Sequence, residues 1–200
     1  MMRLAILLSG RGSNFQAIHE AIESGSLQAE IVCVISNRPE AQGIARARQY
    51  GDPVHVLDHK TFASRAAHEE AVLRVLDEAR PDLIALAGYM RLLSASFIAR
   101  YPNRIVNIHP SLLPAFPGVD AQAQAVAYGV KVSGCTVHFV DENLDAGPIL
   151  VQRPVAVRDD DTPQTLSARI LEQEHAAYVE ALQKLATRRH RIDGRRVVFE

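Results

Sequence analysis

Two patterns of apolar residues alternate along the first half of the chain. Short runs that are apolar throughout are followed by stretches in which apolar residues recur every three or four positions. Leu4 to Leu8 is an unbroken run, and Ser9-Gly10-Arg11-Gly12-Ser13-Asn14 follows it at once. Phe15, Ile18 and Ile22 then recur at helical spacing until Gly25, which predicts strand, glycine loop, helix. Ile31 to Ile35 reads as a second strand, Ile44 to Tyr50 as part of a second helix ending at Gly51, and Val54 to Leu57 as a short third strand. Ala66 to Ala79 carries a helical pattern through Ala71, Val72, Val75 and Leu76. Leu83 to Ala87, after Pro81-Asp82, and Ile105 to Ile108 are the fourth and fifth strands. Strands without a polar face, separated by helices, need cover on both sides. The expected class is therefore α/β, an open, mostly parallel twisted sheet with helices on both faces.

The grammar changes after Ile108. Pro110, Pro114, Pro117 and Gly118 mark a loop, because proline lacks the backbone donor that helices and central strands require. A helix from about Asp120 to Tyr128 is expected next, then two longer strands, Val132 to Val140 and Pro148 to Val157, around an acidic loop. These give the sheet an antiparallel edge in its C-terminal half. Pro163 to Leu185 reads as one long helix capped by Asp161 and Thr162, and Gly194 to Glu200 as a short edge strand. Residues 1–200 are expected to form one domain of two halves, 1–100 and 101–200, with a seam near Tyr101 and one sheet crossing it.

Composition narrows the function classes. The chain has 200 residues, 48% of them hydrophobic, and a formal net charge of −1, which gives no electrostatic case for nucleic acid or an anionic membrane. Cys33 and Cys135 lie in apolar runs without a CxxC pair and read as buried free thiols of a reducing compartment. The N-terminal apolar run is too short for a signal peptide or a membrane span, so a cytoplasmic location is expected.

Three constellations carry chemistry. Glycines where a strand hands over to a helix let successive N–H groups converge on an anion. The first loop lacks a P-loop lysine, and Phe15 replaces the third glycine of a dinucleotide fingerprint, so one phosphate monoester fits better than ATP or NAD. Taken alone, the loop is equally a turn that ends a strand. Asn107 and His109 share one side of the fifth strand at its carboxyl end, where open α/β sheets collect ligands. An amide and an imidazole there suit attack on a carbonyl. Asp145, before Ala146-Gly147, sits on a loop able to bring a carboxylate against His109 and hold it charged. His138 has two readings, a packed structural histidine or a member of the site. No Cys/His cluster has zinc spacing, so no metal is expected.

Ser9-Gly10-Arg11-Gly12-Ser13-Asn14, Asn107-Ile108-His109-Pro110-Ser111-Leu112-Leu113-Pro114 and the run from Gly134 to Gly147 resemble the phosphoribosylglycinamide formyltransferases. The resemblance covers nearly the whole chain with matching spacing, and the Asn-x-His-Pro-Ser-Leu-Leu-Pro run marks the wider superfamily. It implies a Rossmann-like formyltransferase fold, small-molecule substrates and 10-formyltetrahydrofolate as co-substrate. Asn107, His109 and Asp145 would be catalytic, and Gly12, Ser13 and Asn14 would hold a substrate phosphate. Glu174 would meet the ribose. Arg65, Met90, Arg91, Leu92, Leu93, Asn107, Val140 and Asp141 would line the folate side. Without the resemblance, Met90 and the leucines read as core, and Arg65 and Glu174 as solvated helix charges. Leu113-Pro114 resembles the family's cis bond, and Asp120 stands where some relatives carry histidine, its role open.

No nucleic-acid or membrane partner is expected, and the sequence leaves monomer and homodimer both open. Rival readings are 10-formyltetrahydrofolate hydrolase, which carries an extra N-terminal domain, and methionyl-tRNA formyltransferase, which carries an extra C-terminal one. A nucleotide-binding module without chemistry is a third.

Overall fold

The computed structural model describes residues 1–200, which fall into two compact units, Met1–Val106 and Asn107–Glu200. In the first unit β1 (Met2–Leu8), α1 (Ser13–Glu23), β2 (Ala29–Ser36), α2 (Gln42–Tyr50), β3 (Val54–Val56), α3 (Arg65–Ala79), β4 (Leu83–Leu86) and α4 (Ala95–Arg100) follow in order. The strands lie in the order β3-β2-β1-β4, all parallel, with Ala5 of β1 opposite both Cys33 and Ile84. Leu4 to Leu8 have no exposed surface, as the expected strand without a polar face requires. Each leucine or isoleucine among them contributes about 1.5–3 kcal/mol by its burial.

Two elements depart from the sequence pattern. His59–Thr61 forms a 3₁₀ turn, capped by the Asp58 carboxylate, which accepts from the Lys60 N–H. The α4 helix is only six residues long, so a hydrophobic period has no room to show. Its start is set by the Ser94 hydroxyl, which accepts from the Phe97 N–H.

β5 (Ile105–His109) crosses the division between the units, with Asn107 to His109 in the second. α5 (Ala121–Tyr128), β6 (Val132–Phe139), β7 (Ile149–Ala156), α6 (Pro163–Thr187), β8 (His190–Asp193) and β9 (Arg196–Phe199) complete that unit. Its strand order is β5-β6-β7-β9-β8. β6 and β7 are antiparallel with Cys135 opposite Arg153, as the sequence predicts for this half.

α6 buries Leu166, Ile170, Glu174, Ala177, Tyr178, Ala181 and Leu182, one helical face, and packs on β6 and β7. Thr162 caps it: its hydroxyl accepts from the Thr165 N–H, and its own N–H donates to the Thr165 hydroxyl. The expected single edge strand over Gly194–Glu200 is corrected to a hairpin, β8 antiparallel to β9, with β9 parallel to β7 at Ile149 and Arg196.

Cys33 on β2 and Cys135 on β6 are free and fully buried, as their apolar surroundings predict. No helix is long and apolar enough to cross a membrane.

Candidate active site

In the second unit, β5 ends on Asn107-Ile108-His109, and the two-residue period of a strand turns Asn107 and His109 to one side. His109 is buried. Its Nδ1 lies 3.3 Å from Asp145 Oδ2, and its Nε2 lies 2.8 Å from the Phe116 carbonyl oxygen. Both neighbours are acceptors, so each ring nitrogen of His109 faces an oxygen.

Local geometry explains how Asp145 arrives there. The segment between β6 and β7 closes with the Phe139 N–H donating to the Pro148 carbonyl at 2.9 Å. Asp145 takes a left-handed φ of 49°. Two residues on, a Cβ on Gly147 would sit 1.8 Å from the Phe139 carbonyl oxygen, so the return path admits only glycine. Asp145 Oδ2 also accepts from the Gly118 N–H at 2.8 Å, which ties the proline-rich loop to the carboxylate.

His138 stands beside Asn107, buried and hydrogen-bonded as its structural reading expects. Its Nδ1 lies 2.9 Å from the Phe139 carbonyl, leaving Nε2 as an acceptor for the Asn107 amide at 3.4 Å. Burial pushes its imidazole below the ordinary value, against the pull of the Phe139 carbonyl and Asp145. A neutral His138 thus occupies one N–H of the Asn107 amide and leaves the second for a ligand. Asp145 Oδ1 stands 3.9 Å from His138 Nε2, beyond hydrogen-bond reach.

The proline-rich loop is fixed from β6 and β7. The Thr136 hydroxyl, fully buried, donates to the Ser111 carbonyl at 2.7 Å and accepts from the Leu113 N–H at 3.0 Å. Gln152 Nε2 donates to the Leu113 carbonyl at 2.9 Å, and the Leu113-Pro114 bond is cis. Gln152 does not stand out in the sequence. Thr136 is a polar residue inside an apolar strand, a signal that was available. The Phe116 carbonyl and Gly118 N–H are backbone groups and leave no side-chain signal.

In the first unit, the glycine loop sits at the carboxyl ends of β1, β2 and β4. The Ser9 hydroxyl donates to the Asn37 side-chain oxygen and accepts from the Met90 N–H at 2.8 Å, while the Ser9 N–H donates to the Gly88 carbonyl. Gly12, with φ 73°, is the residue before α1, and no side chain caps that helix. A Cβ on Gly12 would sit 2.7 Å from the Gly43 Cα, so α2 packs directly against the loop. Gly12 and Asn14 are buried and Ser13 is half-buried.

Arg65 donates to Glu69 at 3.1 Å and to the Leu92 carbonyl at 2.6 Å; Glu69 in turn accepts from the Ser94 N–H at 3.0 Å. Met90 and Leu92 are 67% and 63% exposed, not core, with Arg91 and Leu93 half-buried beside them. In the second unit Val140 and Asp141 are half-buried, and Glu174 is buried rather than solvated. Asp120 is exposed and precedes α5 with no capping hydrogen bond from its side chain.

Residues 2–182 match the family described as formyl transferase. A phosphoribosylglycinamide formyltransferase of Bacillus subtilis (strain 168) is 41% identical over 185 residues, 92% of this chain and 95% of that protein. The trifunctional purine biosynthetic protein adenosine-3 of Drosophila melanogaster is 49% identical over 185 residues, and the chain spans only 14% of its length. The crystal structure of glycinamide ribonucleotide transformylase 1 from Symbiobacterium toebii has a TM-score of 0.97 at 46% identity, covering 100% of this chain and 94% of that one.

Proposed function

The chain belongs to the formyl transferase family, and from that footing we propose that it moves the formyl group of 10-formyltetrahydrofolate onto the amine of phosphoribosylglycinamide, a step of de novo purine synthesis. The observation that carries this reading is the Asp145–His109 pair, 3.3 Å apart, beside an Asn107 amide with one N–H to spare. Relatives of nearly full-length match are named for the same reaction.

The neutral amine of the glycinamide attacks the formyl carbon. A C–N bond forms as the carbonyl π pair moves onto oxygen. Asn107 Nδ2 and protonated His109 donate to that oxyanion, which takes the place of the Phe116 carbonyl at Nε2. One such preorganised donor contributes about 3–4 kcal/mol. Collapse of the intermediate breaks the bond from the formyl carbon to N10 of the folate. The proton lost by the amine reaches N10 with the help of the Asp145 carboxylate. No covalent enzyme intermediate and no metal enter.

For the substrate, the N–H groups of Gly12, Ser13 and Asn14 at the uncapped start of α1 would hold the phosphate, and the buried Glu174 would accept from the ribose hydroxyls. For the co-substrate, exposed Met90 and Leu92, with Arg65, Arg91, Leu93, Val140 and Asp141, would line the folate side, with Asn107 at the reacting carbon. Two large exposed apolar side chains in one short segment suit a flat heterocycle. We read the enzyme as cytoplasmic, working on small molecules as a monomer or homodimer, without nucleic acid or membrane.

The competing reading is the hydrolase, in which water replaces the amine at the same trio. A spectrophotometric assay with 10-formyl-dideazafolate, with and without phosphoribosylglycinamide, separates the two. Transfer that requires the glycinamide supports the proposal, whereas deformylation at the same rate without it overturns the proposal in favour of hydrolysis.

A further inference from the structure

The C-terminal hairpin meets the segment that carries Asp145 at its beginning, its middle and its end. Before the segment, the His190 ring of β8 stacks on Phe139, the last residue of β6, with centroids 5.7 Å apart and planes 23° apart. After it, Arg196 of β9 pairs in parallel register with Ile149, the first residue of β7. Between them Arg195, in the turn joining β8 to β9, donates from Nη2 to the Ala146 carbonyl at 2.6 Å. The hairpin is itself closed by four register pairs from His190–Phe199 to Asp193–Arg196, so the three contacts belong to one small unit.

The segment has few other holds. Glu142, Asn143 and Leu144 are exposed, and Asp145 has a left-handed backbone, uncommon outside glycine though better tolerated by aspartate than by most residues. Ala146 follows Asp145 directly. A charged donor on its carbonyl holds the Ala146–Gly147 peptide plane, one residue past Asp145, and Gly147 packs against Phe139 with no room for a Cβ.

We propose that the β8–β9 hairpin is a brace for the catalytic carboxylate and that Arg195 is a positioning residue for Asp145, acting through the Ala146 carbonyl. The catalytic part of this inference rests on the reading of Asp145 given above. Arg195 touches neither substrate. Its loss leaves binding of the glycinamide intact and lowers the fraction of molecules in which Asp145 faces His109.

The test combines steady-state kinetics with hydrogen exchange of the 141–147 amides, in wild type, Arg195→Ala, Arg195→Lys and His190→Ala. Loss of one charge-assisted hydrogen bond predicts about tenfold faster exchange in 141–147 and about tenfold lower kcat in Arg195→Ala, with KM for the glycinamide within about twofold of wild type. Arg195→Lys restores part of both, and His190→Ala speeds exchange in the same segment. Wild-type exchange and kcat in Arg195→Ala overturn the proposal. So does faster exchange spread evenly over residues 107–200, which would make Arg195 a general stabiliser. A wild-type protein that protects 141–147 through Arg195 yet transfers no formyl group would sink the proposed function instead and leave the brace standing.

Discussion

Asp145 Oδ2 lies 3.3 Å from His109 Nδ1 and at the same time accepts from the Gly118 N–H. One oxygen thus orients the imidazole and anchors the loop whose Phe116 carbonyl faces the other ring nitrogen. Asp145→Asn keeps the shape and one acceptor but removes the charge. kcat should fall by about 10²–10⁴-fold, the usual range for a lost acid–base group, with KM little changed. Steady-state kinetics with both substrates saturating decide it, and undiminished turnover would remove Asp145 from the mechanism.

Gly12→Ala tests the phosphate loop. The new methyl would press on the Gly43 backbone, and φ at 73° disfavours any side chain. Overpacking of this kind costs about 1–3 kcal/mol of stability. KM for the glycinamide should rise by more than kcat falls, while KM for the folate stays close to wild type. Equal effects on both KM values would argue against a phosphate site here.

Thr136→Val removes a buried hydroxyl that serves three partners: the Ser111 carbonyl, the Leu113 N–H and Gln152 Nε2. The side chains are nearly equal in shape, so the loss is one of hydrogen bonding. Each orphaned group costs about 1–3 kcal/mol. The denaturant midpoint should drop without a change in m-value, and kcat should drop with it because the loop bearing Phe116 and Gly118 loosens.

Stability should depend on pH through the neutral histidines. Burial holds His68 and His138 below their ordinary value of 6.5. Below about pH 6.5 the unfolded chain binds protons that the folded protein still refuses. Stability is therefore full above that pH and declines as pH falls toward the lowered folded values, by at most about 1.4 kcal/mol per pH unit per histidine. Urea midpoints at about pH 7.5 and about pH 5.5 measure the decline. His68→Leu should flatten it, and an unchanged slope would contradict the assignment.

Much of the fold was legible because the central stretches of the parallel strands are buried on both sides and apolar throughout, as Leu4 to Leu8 show. The meeting of His109 with Asp145 was legible for a different reason. Polar residues at the end of an apolar strand, and an aspartate before Ala-Gly, have no packing role to explain them. What stayed hidden depends on backbone or on long-range contact. The Phe116 carbonyl has no side-chain signature, and His190-Arg191-Ile192-Asp193 holds a single apolar residue, too few for a strand pattern. The Asp193-Gly194 pair is a hairpin signal, and reading it would have replaced the single edge strand with β8 and β9. Met90 and Leu92 mislead on hydrophobicity alone, since both side chains are exposed.

The burial of the two cysteines has a practical consequence for experiments on this protein. Cys33 and Cys135 have no exposed surface, and burial pushes both thiols up to about 12. Maleimides and iodoacetamide react with thiolate, which neither residue supplies at neutral pH. The folded protein is in effect a cysteine-free background. A single cysteine introduced at exposed Leu144 would take a fluorophore or spin label alone, and would report on the Asp145 segment without any change to the native thiols.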